Sequence, residues 1–258
     1  MEGMLKGKVA IVTGSARGLG NAIAREIALA GASVVLVDVL TDRLHAAATD
    51  LHALGVAVVL PVQCDVSKAD QVESMVDAAF KHYGHVDILI NNAGLIRKDR
   101  LVDIKESDWD LQFAVNIKGM FLCSQAVVRR WIQAGLPGSI VNISSVHGKI
   151  SFPDASAYAA TKGAVNLFTR SLASELAQHR INVNAIAPGA METELNTAFY
   201  TPPVRAAMAK RIPWGEIGDP SDVGYAAVYL TSERARYITG EILYIDGGLA
   251  MDGREVIE

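Results

Sequence analysis

The sequence predicts an α/β domain built on a doubly wound parallel sheet of about seven strands, with helices on both faces. Three observations carry this expectation. Short β-branched runs alternate with longer stretches of 3.6-residue periodicity along the whole chain. The first runs, "KVAIVT" (8–13) and "SVVLVD" (33–38), are apolar almost throughout, as strands buried on both faces must be. No Pro/Gly/Ser-rich linker and no low-complexity tract divides the 258 residues, so a single domain over 1–258 is expected.

Taken in order, 8–13 is the first strand and passes through a glycine-rich turn into the periodic stretch "LGNAIAREIALAG". The second strand is 33–38 and the third "AVVLPVQ" (57–63), followed by the helical "DQVESMVDAAFKHYG". "VDILIN" (86–91), "GSIVNIS" (138–144), "INVNAIAP" (181–188) and "EILYIDG" (241–247) complete the set. Repeated β–α alternation implies right-handed crossovers and a parallel sheet covered on both sides. The region 190–220 breaks the alternation with four prolines, Tyr200 and Trp214. An excursion of that length after the sixth strand is expected to be a substrate lid, the alternative being a decorative insertion.

Composition narrows the function classes. Half of the residues are hydrophobic and a fifth charged, which suits a sizeable buried core, and the net charge is −4. No run of Lys or Arg stands out, so no nucleic-acid partner is expected. Cys64 and Cys123 sit in apolar segments without metal-ligand spacing, which argues for a reducing compartment and against a resident metal. "MEGMLKGKVAIVTG" lacks a long apolar core, and no apolar run approaches the roughly 20 residues of a bilayer span. The expectation is a cytoplasmic protein with no membrane partner.

The first β–α junction, "TGSARGLG", places Gly14, Gly18 and Gly20 in the pattern T-G-x-x-x-G-x-G. A glycine at the strand end permits a tight turn, and later ones let backbone approach a pyrophosphate at a helix N-terminus. This spacing differs from the commoner G-x-G-x-x-G fingerprint. Asp38 ends the second strand, where a carboxylate accepts both hydroxyls of an adenosine ribose and repels a 2′-phosphate. Arg17 is the contrary sign, able to reach a phosphate or to make a surface contact. On balance NAD is expected over NADP. Asp65, in "QCDVS", either accepts the adenine amino group or caps the helix opening at Ser67. The amides of "INNAG" (90–94) either bridge strand ends along the cleft or form a plain turn.

The chemistry is expected in "SSVHGKISFPDASAYAATKG" (144–163). On a helix, Tyr158 and Lys162 stack on one face at i and i+4. A phenol titrates near 10, and a neighbouring ammonium, together with an oxidised nicotinamide, is expected to lower that value. The tyrosine then becomes a general base for an alcohol proton, or an acid in reverse. Ser145, at the end of the fifth strand, is placed to hold the substrate oxygen. Asn116, in "AVNIKG", lies inside a predicted helix where an amide packs poorly, and it can hold a water linking Lys162 to solvent. Taken singly, each residue also has a structural reading as a cap, a half-buried aromatic or a solvated stem.

Together with "NNAG", "VNIKG", "NISS", "YAATK", "NAIAPG" and "YITGEILYIDGG", these segments resemble the short-chain dehydrogenase/reductase family in order and spacing over nearly the whole chain. The resemblance implies a Rossmann-type sheet and a catalytic tetrad of Asn116, Ser145, Tyr158 and Lys162, the lysine also holding the nicotinamide ribose. It implies cofactor contacts from Gly14, Ser15, Arg17, Gly18, Leu19, Gly20, Asp38, Asp65, Val66, Asn92, Ala93 and Gly94. Further contacts are implied from Tyr158, Lys162, Pro188, Gly189, Met191 and Thr193, and a homotetramer is the usual assembly. "NNAGLIRKD", "SSVHGKISFP" and "PGAMETELN" resemble the family's sugar and polyol dehydrogenases, with Ser145, His147 and Tyr158 as expected substrate contacts. The alternatives are a 3-oxoacyl-carrier-protein or other ketone reductase, and a dinucleotide-binding sensor without turnover. The complete tetrad speaks against the sensor, and Asp38 with the lack of a basic patch speaks against the carrier-protein enzyme.

Overall fold

A computed structural model describes residues 3–56, 59–194 and 200–251. Among them, seven strands form one parallel sheet in the order β3-β2-β1-β4-β5-β6-β7. The strands are β1 (Val9–Thr13), β2 (Ser33–Asp38), β3 (Val59–Gln63), β4 (Ile88–Asn91), β5 (Gly138–Ile143), β6 (Ile181–Pro188) and β7 (Ile242–Ile245). All seven expected strands are present, mostly a residue or two shorter than the apolar runs that announced them. The first two residues of the 57–63 run lie outside the described residues.

Alternate side chains explain why the early strands are apolar throughout. Ala10 and Val12 of β1, with Val34 and Leu36 of β2, enter a core shared with α1 (Gly18–Leu29), α2 (Thr41–Ala53) and α8 (Pro220–Thr231). Val9, Ile11, Val35 and Val37 face the opposite core, built with α3 (Ala69–Tyr83), α5 (Met120–Ala134) and α6 (Ser156–Leu176). A helix layer on each side leaves no solvent face for these strands, and each fully buried aliphatic side chain contributes about 1.5–3 kcal/mol. Pro61 sits in β3, an edge strand, which is where a missing N–H can be tolerated.

The chain order reverses between β1 and β4, which pair in parallel with Val12 opposite Ile90. Their carboxyl ends therefore diverge into loops on opposite sides and leave a crevice between them, the place where open α/β sheets bind ligands. Thr13 Oγ1 accepts the Asn92 and Ala93 N–H groups at 3.0 and 3.1 Å and so locks the two strand ends together.

Two further features shape the site. α4 (Glu106–Phe113) continues through a π-helical turn, Ala114–Gly119, into α5 without a break. This 106–134 run is apolar enough by composition to cross a membrane. Its buried side chains, Cys123, Val127 and Trp131 among them, pack into the core instead. The 190–220 excursion forms α7 (Pro202–Arg211) and is pinned at its base, where Met191 pairs with Gly218 as an isolated parallel bridge. The Gly218 N–H donates to the Ala190 carbonyl and the Glu192 N–H to the Gly218 carbonyl, closing that stem.

Candidate active site

The glycine turn is built for close approach. Gly14 adopts φ +66° and Gly18 φ +58°, both in the left-handed region that favours glycine. A Cβ on Gly20 would run into the Gly14 carbonyl and the Asn92 amide. α1 starts immediately after Arg17 with no capping side chain and no acidic residue in its first turn, leaving first-turn N–H groups and the positive dipole end for an anion. Ser15 is fully buried and hydrogen-bonds β2, accepting from the Val37 N–H at 2.8 Å, so its side chain fixes the loop to the sheet.

A cleft of about 510 Å³ runs from this turn along the carboxyl edge, lined by Gly14, Arg17, Leu19, Gly20, Asp38, Asp65, Val66 and Asn92 to Gly94. The Asp38 carboxylate accepts the Ala16 and Leu40 N–H groups, each at 3.1 Å. Four lone-pair positions on a carboxylate leave room for two more donors, as a ribose diol requires. Asp65 lines this cleft and closes a turn, Oδ1 accepting the Ser67 N–H at 3.0 Å and its hydroxyl at 2.7 Å. The helix itself starts later, at Ala69, behind Lys68. The Asn92 amide bridges strand ends, donating to the Thr13 and Gly14 carbonyls at 2.9 and 3.0 Å. Pro188 ends β6, Gly189 packs close against Asp246, and Met191 is buried in the core. Thr193 lies with Arg17 and Gly18 on the far side of the glycine turn.

At the same edge, α6 carries Tyr158 and Lys162 on one face, and Lys162 Nζ lies 5.5 Å from the Tyr158 ring centroid. Ser145 stands two residues beyond the end of β5, in the turn that opens a short 3₁₀ segment, Val146–Gly148. Its hydroxyl accepts the His147 N–H at 3.1 Å and hydrogen-bonds the Tyr158 hydroxyl. In the protein alone, burial dominates the phenol. Burial pushes the Tyr158 hydroxyl up, with the Ser145 hydrogen bond acting in the opposite direction. Burial also pulls the Lys162 amine down to about 8, and Nζ donates to the Ile143 carbonyl at 2.8 Å. Desolvation disfavours both charged forms.

Asn116 has a structural task at the same edge. It sits in the π-helical turn with its whole amide engaged: Oδ1 accepts the Leu95 N–H at 2.8 Å, while Nδ2 donates to the Leu95 carbonyl and to Thr161 Oγ1. Its side chain therefore orders the loop after β4 and braces α6. Thr161 passes the tie on to the Tyr158 carbonyl at 2.7 Å.

Sequence reasoning missed Asn166, one turn beyond Lys162. Its Oδ1 accepts from the Ser144 hydroxyl at 2.6 Å and its Nδ2 donates to the Gly148 carbonyl at 3.3 Å. It clamps the loop bearing Ser145 and His147 onto the helix bearing Tyr158. The i+4 spacing was the available signal. His147 stacks on Phe152 at 4.3 Å between centroids and meets Tyr158 edge-on at 6.4 Å.

A glycine-lined cleft at the switch point with the Asp38 carboxylate on its wall, beside a buried Tyr–Lys–Ser cluster, suits a dinucleotide-dependent oxidoreductase acting on CH–OH groups. The residues present fit the dinucleotide: the close-approach glycines, the uncapped α1 N-terminus and the unused Asp38 lone pairs each match one part of it.

Residues 14–250 match the family model described as enoyl-(acyl carrier protein) reductase, and the chain belongs to the short-chain dehydrogenase/reductase family. It is 40% identical over 250 residues to 3beta-hydroxysteroid dehydrogenase 1 of Eggerthella lenta, covering 96% of this chain and 95% of that one. It is 39% identical over 247 residues to a 3-oxoacyl-[acyl-carrier-protein] reductase of Thermotoga maritima, covering 96% and 99%. A solved structure of a gluconate 5-dehydrogenase from Burkholderia cenocepacia, in complex with NADP and tartrate, superposes with TM-score 0.90 at 36% identity, covering 96% and 97%.

Proposed function

We propose that this protein transfers a hydride between a secondary alcohol of a sugar, sugar acid or polyol and a nicotinamide, with Tyr158 as the general acid/base. The observation that carries the reading is the convergence of Ser145, Tyr158 and Lys162 at the carboxyl edge, beside the glycine-lined cleft. When bound, the nicotinamide supplies the hydride acceptor and, oxidised, a positive charge. Ser145 holds the substrate oxygen, Tyr158 takes or returns its proton, and Lys162 binds the ribose and passes the proton outward. His147, edge-on to Tyr158 and stacked on Phe152, is placed to contact a substrate hydroxyl. The similarity to a gluconate dehydrogenase supports this reading. A steroid or a carrier-bound acyl chain, the substrates named for the other two relatives, calls for more apolar walls than these polar groups offer.

NAD is the proposed cofactor on the strength of Asp38, although the gluconate dehydrogenase structure holds NADP. Tighter NADP than NAD binding in a titration would overturn that preference. A homotetramer in the cytoplasm completes the reading. Its supports are the family, the exposed apolar Phe121, Leu167, Tyr225 and Tyr229 on helical faces, and the two free, buried thiols. A monomer by light scattering at micromolar concentration would refute the assembly.

Tyr158→Phe tests the chemistry. The phenyl ring keeps the packing and removes the proton acceptor, so turnover is expected to fall by about 10²–10⁴ while dinucleotide binding persists. Retention of more than about a tenth of the activity would mean that less than ~1.4 kcal/mol of barrier depends on the hydroxyl, and another acceptor would be needed.

A further inference from the structure

The loop 144–148 after β5 carries two groups that face the chemistry, Ser145 and His147. Its first residue is tied to the sheet, the Ser144 N–H donating to the Ile186 carbonyl at 2.7 Å. A separate set of bonds ties it to α6. Apart from the Ser145–Tyr158 pair, the side-chain hydrogen bonds joining 144–148 to that helix, among the described residues, all involve Asn166 or the Ser144 hydroxyl.

The Asn166 amide reaches both ends of the loop at once. Oδ1 accepts from the Ser144 hydroxyl at 2.6 Å, and Nδ2 donates to the Gly148 carbonyl at 3.3 Å. Its orientation is fixed, because the reversed amide would set two oxygens against each other at Gly148. Gly148 admits the amide because it lacks a side chain: a Cβ there would lie 2.6 Å from Asn166 Nδ2 and 2.8 Å from the Lys162 carbonyl. Between the two anchors, the Ser145 hydroxyl accepts the His147 N–H at 3.1 Å, which leaves its own proton for the phenol oxygen.

We infer that Asn166 is a positioning residue for the proton transfer: by closing both ends of the 144–148 loop onto α6, it fixes the Ser145 hydroxyl against the Tyr158 hydroxyl. The inference rests on the proposed function and adds to it a residue outside the reacting cluster. A shift of about an ångström in a reacting group costs a factor of about 10². The sheet bond of Ser144 survives loss of the amide, so the fold is expected to stay while the Ser145–Tyr158 contact loosens.

The phenol supplies a readout that packing alone would not move. The titratable groups facing Tyr158 are Lys162, on its own helix with Nζ 5.5 Å from the ring centroid, and His147, edge-on from the loop. Burial pushes the phenol pKa up and the Ser145 hydrogen bond pulls it down. Loosening that bond therefore moves the titration to higher pH.

The test uses Asn166→Leu, which keeps the size of the side chain and removes both bonds without adding charge, and Ser144→Ala, which removes one of them. Three quantities are measured: kcat for D-gluconate oxidation with saturating dinucleotide, NAD affinity by fluorescence, and the Tyr158 titration. The last is read as phenolate absorbance with NAD bound, each protein minus its own Tyr158→Phe form. Asn166→Leu is expected to lower kcat about 10–100-fold and to raise the apparent pKa of the phenol, with NAD affinity held within about twofold. Ser144→Ala should move kcat and the titration the same way by less. The double variant should match Asn166→Leu and not sum the two losses. If Asn166→Leu fails to fold, Ser144→Ala carries both readouts, and if D-gluconate is not turned over, the phenol titration alone decides. A kcat within about twofold of wild type in both variants, or a phenol titration that does not move, overturns the positioning role. So does a loss of NAD affinity as large as the loss of kcat, which marks a residue that only supports the fold. The proposed function fails differently, by turnover that survives Tyr158→Phe.

Discussion

Lys162 is buried to 4% exposure, and the protein holds its amine near 8 instead of the ordinary 10.5. Between those values the unfolded chain binds the extra proton, so stability must rise with pH through that window and lose the contribution below it. Lys162→Met removes this dependence. The variant is expected to gain on the order of 2–3 kcal/mol at neutral pH by the size of the shift, less the loss of the Ile143 hydrogen bond. Urea melts at pH 7 and pH 10 check this: the variant's advantage should be large at the first and shrink at the second. The same variant should lose turnover, the usual conflict between stability and a buried functional charge. The pairing of Tyr158 with Lys162 was legible from spacing alone, because i and i+4 share a helix face. The direction of their titration was not, because desolvation is set by strands and loops far away in sequence.

At the scale of elements, the strands could be read because burial on both faces leaves an unmistakable apolar run. The π-helical turn at Ala114–Gly119 could not, since the residues around it continue a helical pattern on both sides. Only the contacts of Asn116 with Leu95 and Thr161 show why the helix widens there. Asn116→Ala strands the Leu95 amide and carbonyl without their partners. A loss of about 2–3 kcal/mol of stability is expected, with a fall in kcat as the Leu95 loop and α6 lose register. Chemical denaturation and steady-state kinetics measure the two effects separately. In the glycine turn, Gly20→Ala is expected to weaken dinucleotide binding more than about tenfold, since its Cβ must displace the Gly14 carbonyl that shapes the cradle. Cofactor titration by fluorescence reads this directly, and unchanged affinity would remove the turn from the binding site.

Across the whole molecule, an exposed ion pair, Arg43 Nη1 to Glu194 Oε1 at 2.6 Å, ties the excursion after β6 to the nucleotide half. Arg205 and Glu192 form a second pair within the excursion. Exposed pairs contribute little to folding, so Arg43→Ala should leave Tm within about 2 °C of wild type. Because the pair joins α2 to a loop flanking the glycine turn, stopped-flow release of the dinucleotide should become several-fold faster. An unaltered release rate would make the pair incidental.

The stem at Ala190 and Gly218 has an evolutionary corollary. Two neighbouring backbone positions close the base of the excursion, while the sheet, the glycine turn and the Tyr158 helix lie outside it. Natural variation can therefore rewrite the outer part of the segment, beyond Met191, Thr193 and Glu194, without disturbing the Ser145, Tyr158 and Lys162 cluster. A chimera joined at those two positions should inherit its selectivity from the donor of the insert and its chemistry from the recipient.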